Sequence, residues 1–291
     1  MLMGSMNSKP LRVFISEVHD PWFNLATEDW IFRELDPDSH ALFLWRNEES
    51  VVIGRFQNPW LECHTSKMNN EGVKLVRRQS GGGTVYHDLG NTNFTFLSGR
   101  RSFDKNINHY ILNRAIHRFD VASYANYRND LVVDDHEGPK KISGSAFKEK
   151  RDRSFHHGTL LINADLGRLK NYLLPAAKNM TGKGVNSVRS PVANLVDFNP
   201  LINHDEMIRA VIDEFFTYYQ NEGPIETLNH DSLRDIPCLN EYYQKLKDWK
   251  WRFGETPKFH LKLTHDFEWG EIDLDLHVYK GKVKQAELNS G

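Results

Sequence analysis

Apolar and polar positions recur along this chain with two periods, close to two and close to 3.6, and the two are mixed rather than regularly alternated. Leu11-Arg12-Val13-Phe14-Ile15 has the density of apolar residues that predicts a strand. Asp20-Pro21 follows, an N-cap acid with proline at the first helical position. Phe23, Ala26, Trp30 and Ile31 then recur at helical spacing through Leu35. Residues 42–45 and 51–54 read as two strands of a hairpin. A loop opened by Gln57-Asn58-Pro59-Trp60 leads into a short helix ending near Met68. In 91–97, Phe94 and Phe96 share one face and Asn93 and Thr95 the other, which predicts a half-buried strand. Ile107, Ile111, Leu112, Ala115, Ile116 and Phe119 mark an amphipathic helix.

The second half is read the same way. Segments 129–133, 141–146 and 156–162 are predicted as three strands of one meander, with turn chemistry at Glu137-Gly138-Pro139-Lys140. A short helix follows, ended by Pro175, then a polar, glycine-bearing loop over 178–189. A strong helix is predicted over 205–219, with Ile208, Val211, Ile212 and Phe215 on one face. The composition shift over 242–251 reads as a linker, and the tail from Lys258 as two or three strands. This order predicts an α+β fold with a mixed, largely antiparallel sheet flanked by helices, not a Rossmann fold. The expected division is 1–247 for the main domain and 248–291 for a partial C-terminal accessory domain.

Composition narrows the functional classes. The formal charge of −2 over 291 residues gives no electrostatic case for nucleic acid. No apolar run is long enough to span a bilayer. The first seven residues lack the charged-then-apolar order of a signal peptide. Cys63 and Cys238 lie far apart with no C-x-x-C, which fits a reducing compartment and gives no disulfide framework or zinc site. A cytoplasmic monomer is expected, without membrane contact.

The candidate chemistry sits first at Arg77-Arg78-Gln79-Ser80-Gly81-Gly82-Gly83-Thr84-Val85-Tyr86-His87-Asp88. Three glycines between two strand-like runs can turn successive N–H groups onto an anion. The arginines add forked donors suited to phosphate or carboxylate. A tight hairpin with solvated arginines is the competing reading. No Lys-Ser/Thr follows at P-loop spacing, and Ser80 has no strand–turn–helix around it. Lys141 is the second candidate, since Ser143 and Gly144 leave room for a ligand beside it; a strand-edge lysine is the bland alternative. His156 and His157 point to opposite faces of a strand and can hardly share a metal ion. Asp130 is a candidate for a divalent ion near phosphates, or a cap of the strand turn.

Together these stretches resemble the lipoate–protein ligases, closest to the bacterial two-domain type. The likeness rests on the arginine–glycine stretch through Asn91, on Lys141-Ile142-Ser143-Gly144-Ser145-Ala146, on Asn24-Leu25-Ala26-Thr27-Glu28, on Arg128-Asn129-Asp130 and on His156-His157-Gly158-Thr159-Leu160-Leu161. The resemblance implies a fold like that of biotin ligases and class II aminoacyl-tRNA synthetases. It implies two steps: lipoate and ATP, with Mg2+, give lipoyl-AMP, and a lysine of an apo-lipoyl domain then takes the acyl group. Acceptors would be acyltransferase subunits of 2-oxoacid dehydrogenases and the glycine cleavage H protein. Lys141 is implied to touch both acyl carbonyl and phosphate, staying protonated. Arg78 and the N–H groups near Gly82 and Gly83 would neutralise the reacting anions, and Ser80 would help bind substrate or nucleotide. Thr84, Val85 and Tyr86 would form the strand beside the nucleotide, and Arg128, Asn129, Asp130 and Thr159 would line the adenylate. A transferase that takes only preformed lipoyl-AMP, and a non-catalytic lipoyl-adenylate carrier, are the alternatives.

Overall fold

The computed structural model describes residues 9–173, 180–182, 184–188 and 190–290. Two compact units interleave along the chain: one takes in 1–49, 87–166 and 189–243, the other 50–86, 167–188 and 244–291. The boundary expected at 247/248 falls close to where the chain enters the second unit for the last time, but that unit also contains two earlier segments. Pro175 and Lys178 lie outside the described residues.

The first unit is built, among the described residues, on a six-stranded sheet. Its order is Ser145–Glu149, Arg153–Leu161, Asn91–Gly99, His40–Arg46, Leu11–Ser16 and Ile225–Leu228. Leu11–Ser16 runs parallel to both its neighbours, and the other pairs are antiparallel. Helices Lys105–His117 and His204–Tyr219 lay Ile111, Leu112, Ile116, Met207, Val211 and Phe215 onto Leu42, Leu44, Phe94 and Phe96. Their N-caps are Asp104 and Asn203. A cap is worth about 1 kcal/mol, whereas each buried large side chain contributes roughly 1.5–3 kcal/mol, so the shared apolar face holds this layer. Helix Pro21–Glu34 starts as its sequence predicts, Asp20 accepting from the Trp22 amide at 3.0 Å.

Four expectations need correction. The strands over 42–45 and 51–54 do not form a hairpin. His40–Arg46 is flanked on both edges within the six-stranded sheet, whereas Ser50–Ile53 is in a different sheet. Asn91–Gly99 is buried at every position, not on one face. Its polar face is tolerated because Thr95 donates to Glu28 at 2.6 Å and Asn91 to Asn93 at 3.0 Å. The predicted meander is split at Gly144: Leu131–Asp135 and Gly138–Ser143 pair with each other beside Ser123–Ala125, while Ser145–Glu149 joins the larger sheet. The predicted linker is instead helical, with helix Pro237–Lys247 and a π-helical turn Lys250–Gly254.

In the second unit, Ser50–Ile53 is the centre of a three-stranded sheet between Lys74–Arg77 and Val85–His87. Val51, Ile53, Cys63, Met68, Leu75, Tyr86 and Tyr172 form its core. The tail provides three antiparallel strands, Phe259–Phe267, Gly270–Tyr279 and Lys282–Ser290, joined by Met180–Gly182. No described helix is long and apolar enough to cross a membrane.

Burial makes the first unit acid-sensitive. Desolvation lowers His40 and His204 to about 4, from the 6.5 usual for histidine, and holds His156 well below the usual value. The unfolded chain protonates His40 and His204 below pH 6.5 and the folded chain does not until near pH 4. Their contribution to stability is therefore fully present above pH 6.5 and lost as pH falls through that window. Urea midpoints should drop steadily between pH 7 and pH 4.5; a flat profile would contradict neutral buried imidazoles.

Candidate active site

The glycine stretch of the second unit is not a hairpin. Its flanking strands lie on opposite sides of Ser50–Ile53, so the turn arches over the end of that strand. Gly54 permits the crossing: a Cβ there would stand 2.3 Å from the Gly82 carbonyl oxygen. Gly82 itself has φ +86°, a left-handed conformation that favours glycine.

The two arginines have different tasks. Arg77 is fully buried and donates to the carbonyls of Gly54, Arg55, Gln57, Trp251 and Arg252 and to the Thr256 hydroxyl. Burial, with Arg55 nearby, lowers it to about 10. Arg78 donates to the Ser80 hydroxyl at 2.9 Å, to the carbonyl of Gly81 at 2.6 Å, of Gly83 at 2.7 Å and of Val52 at 3.1 Å. Arg78 is thus engaged by the carbonyls of its own loop and by Val52. Across a trans peptide the C=O and N–H point oppositely. Drawing in the carbonyls of residues 81 and 83 therefore turns the N–H groups of Gly82 and Thr84 away from the guanidinium, which is how a nest is aimed. Ser80 serves the same purpose.

The Thr84 amide meets the hydroxyl of Ser187 at 2.8 Å. Ser187 in turn donates to Glu62 and accepts from Gln57 at 3.1 Å, while the Thr84 hydroxyl donates to Gln57 at 2.9 Å. Gln57, Glu62 and Ser187 are functional candidates that sequence patterning missed; they carry no local signal, being polar residues in loops and a short helix. Val85 is half-buried, and the Tyr86 ring is packed in the core, stacked on Tyr172 at 6.0 Å.

In the first unit, Lys141 lies in strand Gly138–Ser143. Leu131 pairs with Ser143 but Val132 with Lys141, so Ile142 is an extra residue, a β-bulge. Bulges re-aim neighbouring side chains. Ile142 enters the core, and the Lys141 ammonium sits 2.8 Å from Oδ1 of Asp130. The Lys141 side chain is 22 % exposed and that of Asp130 7 %. The Lys141 backbone is tied on both sides, its N–H to Pro191 at 2.8 Å and its carbonyl to the Ala193 amide at 3.1 Å. Thr159 and Gly144 exchange hydrogen bonds at 3.1 Å, which holds the bend where the chain leaves one sheet for the other. A Cβ on Gly144 would lie 3.1 Å from both Cε and Nζ of Lys141. The strand-edge reading of Lys141 therefore does not account for its surroundings.

Asp130 comes from a turn built by Asn126, whose side chain accepts from the amides of Arg128 at 2.9 Å and Asp130 at 3.1 Å. Asn129 completes the turn with φ +63°, which asparagine tolerates. Arg128 reaches Ser190 at 3.4 Å. Lys141, Asp130, Arg128, Asn129 and Thr159 thus converge in one unit, and Ser80, Gly82, Gly83 and Thr84 are gathered in the other.

His157 meets Glu28 at 2.7 Å and His156 meets Ser145 at 2.8 Å, so the two imidazoles do part to different partners. Among the described residues, no group of three or more His, Cys, Asp or Glu could hold a metal ion. Asp130 Oδ2 is buried and has no partner among the described residues. Burial, with Glu62 beside it, pushes the Cys63 thiol up to about 12, far from a reactive thiolate.

Residues 20–216 match the family described as the lipoyl protein ligase A/B catalytic domain. The chain is 51% identical over 285 residues to lipoate-protein ligase A of Psychrobacter cryohalolentis, covering 96% of this chain and 83% of that protein. The crystal structure of P. falciparum LipL1 in complex with lipoate is similar with a TM-score of 0.74 and 32% identity, over 96% of this chain and 84% of that one. A lipoate-protein ligase A structure bound with ATP has a TM-score of 0.69 at 23% identity, over 84% and 98%, and supports the fold alone.

Arg77→Ala strands several buried carbonyls without a donor, each costing roughly 1–3 kcal/mol. The variant should lose at least about 3 kcal/mol of stability, read as a lowered denaturation midpoint of the second unit. An unchanged midpoint would refute the buried-clasp role.

Proposed function

The chain belongs to the lipoyl protein ligase A/B catalytic-domain family, and from that premise we propose that it is an ATP-dependent lipoate–protein ligase. The observation that carries this reading is Lys141, placed 2.8 Å from Asp130 beside a glycine that leaves it space.

In the first step the lipoate carboxylate attacks the α-phosphorus of ATP, the bond to pyrophosphate breaks, and an acyl-phosphate anhydride forms. Two anions must approach each other, so catalysis rests on fixed positive charge and oriented N–H donors. Lys141 supplies the charge to the non-bridging oxygens. The N–H groups of Gly82 and Thr84, aimed by Arg78, are the assigned anion donors. Replacing the Ser187 hydroxyl on the Thr84 amide would let that amide take a ligand oxygen. In the second step the amine of an acceptor lysine attacks the acyl carbonyl, loses a proton, and AMP leaves. Lys141 then stabilises the tetrahedral oxyanion.

Mg2+ fits this chain only in part. Oδ1 of Asp130 is engaged by Lys141 while Oδ2 has no partner among the described residues, so Asp130 is the residue that would hold the ion. When bound, the ion would neutralise phosphate charge. We assign Arg128, Asn129 and Thr159 to shaping the adenylate site, through the Asn126 turn and the Gly144 bend. The acceptors we propose are lipoyl domains of 2-oxoacid dehydrogenase acyltransferase subunits and the glycine cleavage H protein. The unpaired Cys63 and Cys238 fit a reducing compartment, and we propose the cytoplasm.

Lys141→Ala should remain folded by circular dichroism yet lose at least about a hundredfold in lipoylation of an apo-lipoyl domain. Near-unchanged turnover would remove Lys141 from the chemistry. Gly144→Ala, which crowds the lysine, should lower the same rate about tenfold or more; full activity would show that the space beside Nζ is unused. Pyrophosphate release should require lipoate and proceed without acceptor. If only transfer from supplied lipoyl-AMP occurs, the protein is a transferase instead.

A further inference from the structure

The turn that delivers Asp130 to Lys141 also presents Tyr127. That ring is 93 % exposed, more than any other exposed large hydrophobic residue among the described residues. Its backbone is nevertheless tightly held. The Asn126 side chain accepts from the amides of Arg128 and Asp130, the Asn126 amide donates to the Asp130 carbonyl at 2.9 Å, and the Asn129 amide donates to the Asn126 carbonyl at 3.0 Å. A ring so exposed contributes little to the core. Held on a rigid turn, it can bury itself in a partner without the cost of ordering a loop. Tyrosine is the type of residue that dominates interface energies for this reason.

The geometry points to Tyr127 as a docking residue for the folded domain that carries the acceptor lysine. This rests on the ligase reading above. The acceptor amine must reach an acyl carbonyl contacted by Lys141, and Tyr127 stands on the turn that sets Asp130 against that lysine. The turn's backbone serves the adenylate site, while the solvent-exposed Tyr127 side chain is assigned to the transfer step. A second tyrosine on the preceding strand, Tyr124, is half-exposed and donates to Asp134 at 2.9 Å, which continues the aromatic character of this hairpin outward. The partner this surface fits is a small folded domain with an apolar or flat patch beside its lysine.

The test compares Tyr127→Ala and Tyr127→Phe with the unsubstituted chain in two assays. Lipoate-dependent pyrophosphate release without acceptor should be unchanged in both variants. Steady-state lipoylation of apo-lipoyl domain should show KM for the domain raised about tenfold in Tyr127→Ala, with kcat retained, and near-normal KM in Tyr127→Phe. Titration calorimetry with apo-lipoyl domain should show the same loss of affinity. An unchanged KM and affinity in Tyr127→Ala would overturn the proposal, as would an equal loss in pyrophosphate release, which would mean the turn itself is damaged. Absence of lipoate-dependent pyrophosphate release in the unsubstituted chain would overturn the ligase reading instead, while calorimetry would still decide the docking role.

Discussion

The ion pair between Lys141 and Asp130 is the constraint around which the first unit's chemistry is arranged. An ammonium on a four-carbon stem has many rotamers, and only a fixed counter-charge at 2.8 Å gives it one address. The surrounding features serve that address. The bulge at Ile142 sends the isoleucine into the core and leaves the lysine free to turn. The Asn126 turn fixes Asp130, the segment 191–193 fixes the lysine backbone, and Gly144 keeps the space beside Nζ open. Asp130 gains as well, since a buried carboxylate without a partner is costly.

The second unit solves the complementary problem of aiming backbone donors. Two adjacent arginines, alike in sequence, act at different distances. Arg77 joins residues far apart in the chain, clasping 54–57 to 251–256. Arg78 holds Val52 and its own loop, pulling two loop carbonyls inward so that the opposite N–H groups turn out. Positive charge here works first on carbonyl dipoles, and in the proposed function the anion is met by amides. This differs from a P-loop, where a helix N-terminus and a lysine share the same short motif.

Buried polar contacts elsewhere keep chemistry out. Cys63 is held as a thiol inside an apolar cluster. Glu28, Thr95 and His157 satisfy one another on the buried polar face of Asn91–Gly99. These groups look reactive in a list of residues, yet each is desolvated and paired. Their value is structural: they allow a strand with a polar face to sit in the middle of a sheet.

What the residues alone determined were the local elements and the chemical vocabulary. Helices 21–34, 105–117 and 204–219 were legible because periodicity and N-caps act within a few residues of one another. Lys141, the glycine run and the Arg128–Asp130 stretch were legible as ordered motifs. Strand partners were not: 42–45 and 51–54 have the look of a hairpin, and so do the runs around the glycines. Which edge a strand joins depends on residues far away and on which faces are already covered, and one-dimensional patterning carries no such information. For the same reason the sequence could name two arginines but not divide their labour, and could nominate Lys141 but not find Asp130 beside it. Only the tertiary structure decided these, because charge and hydrogen bonding depend on distances set by the whole fold.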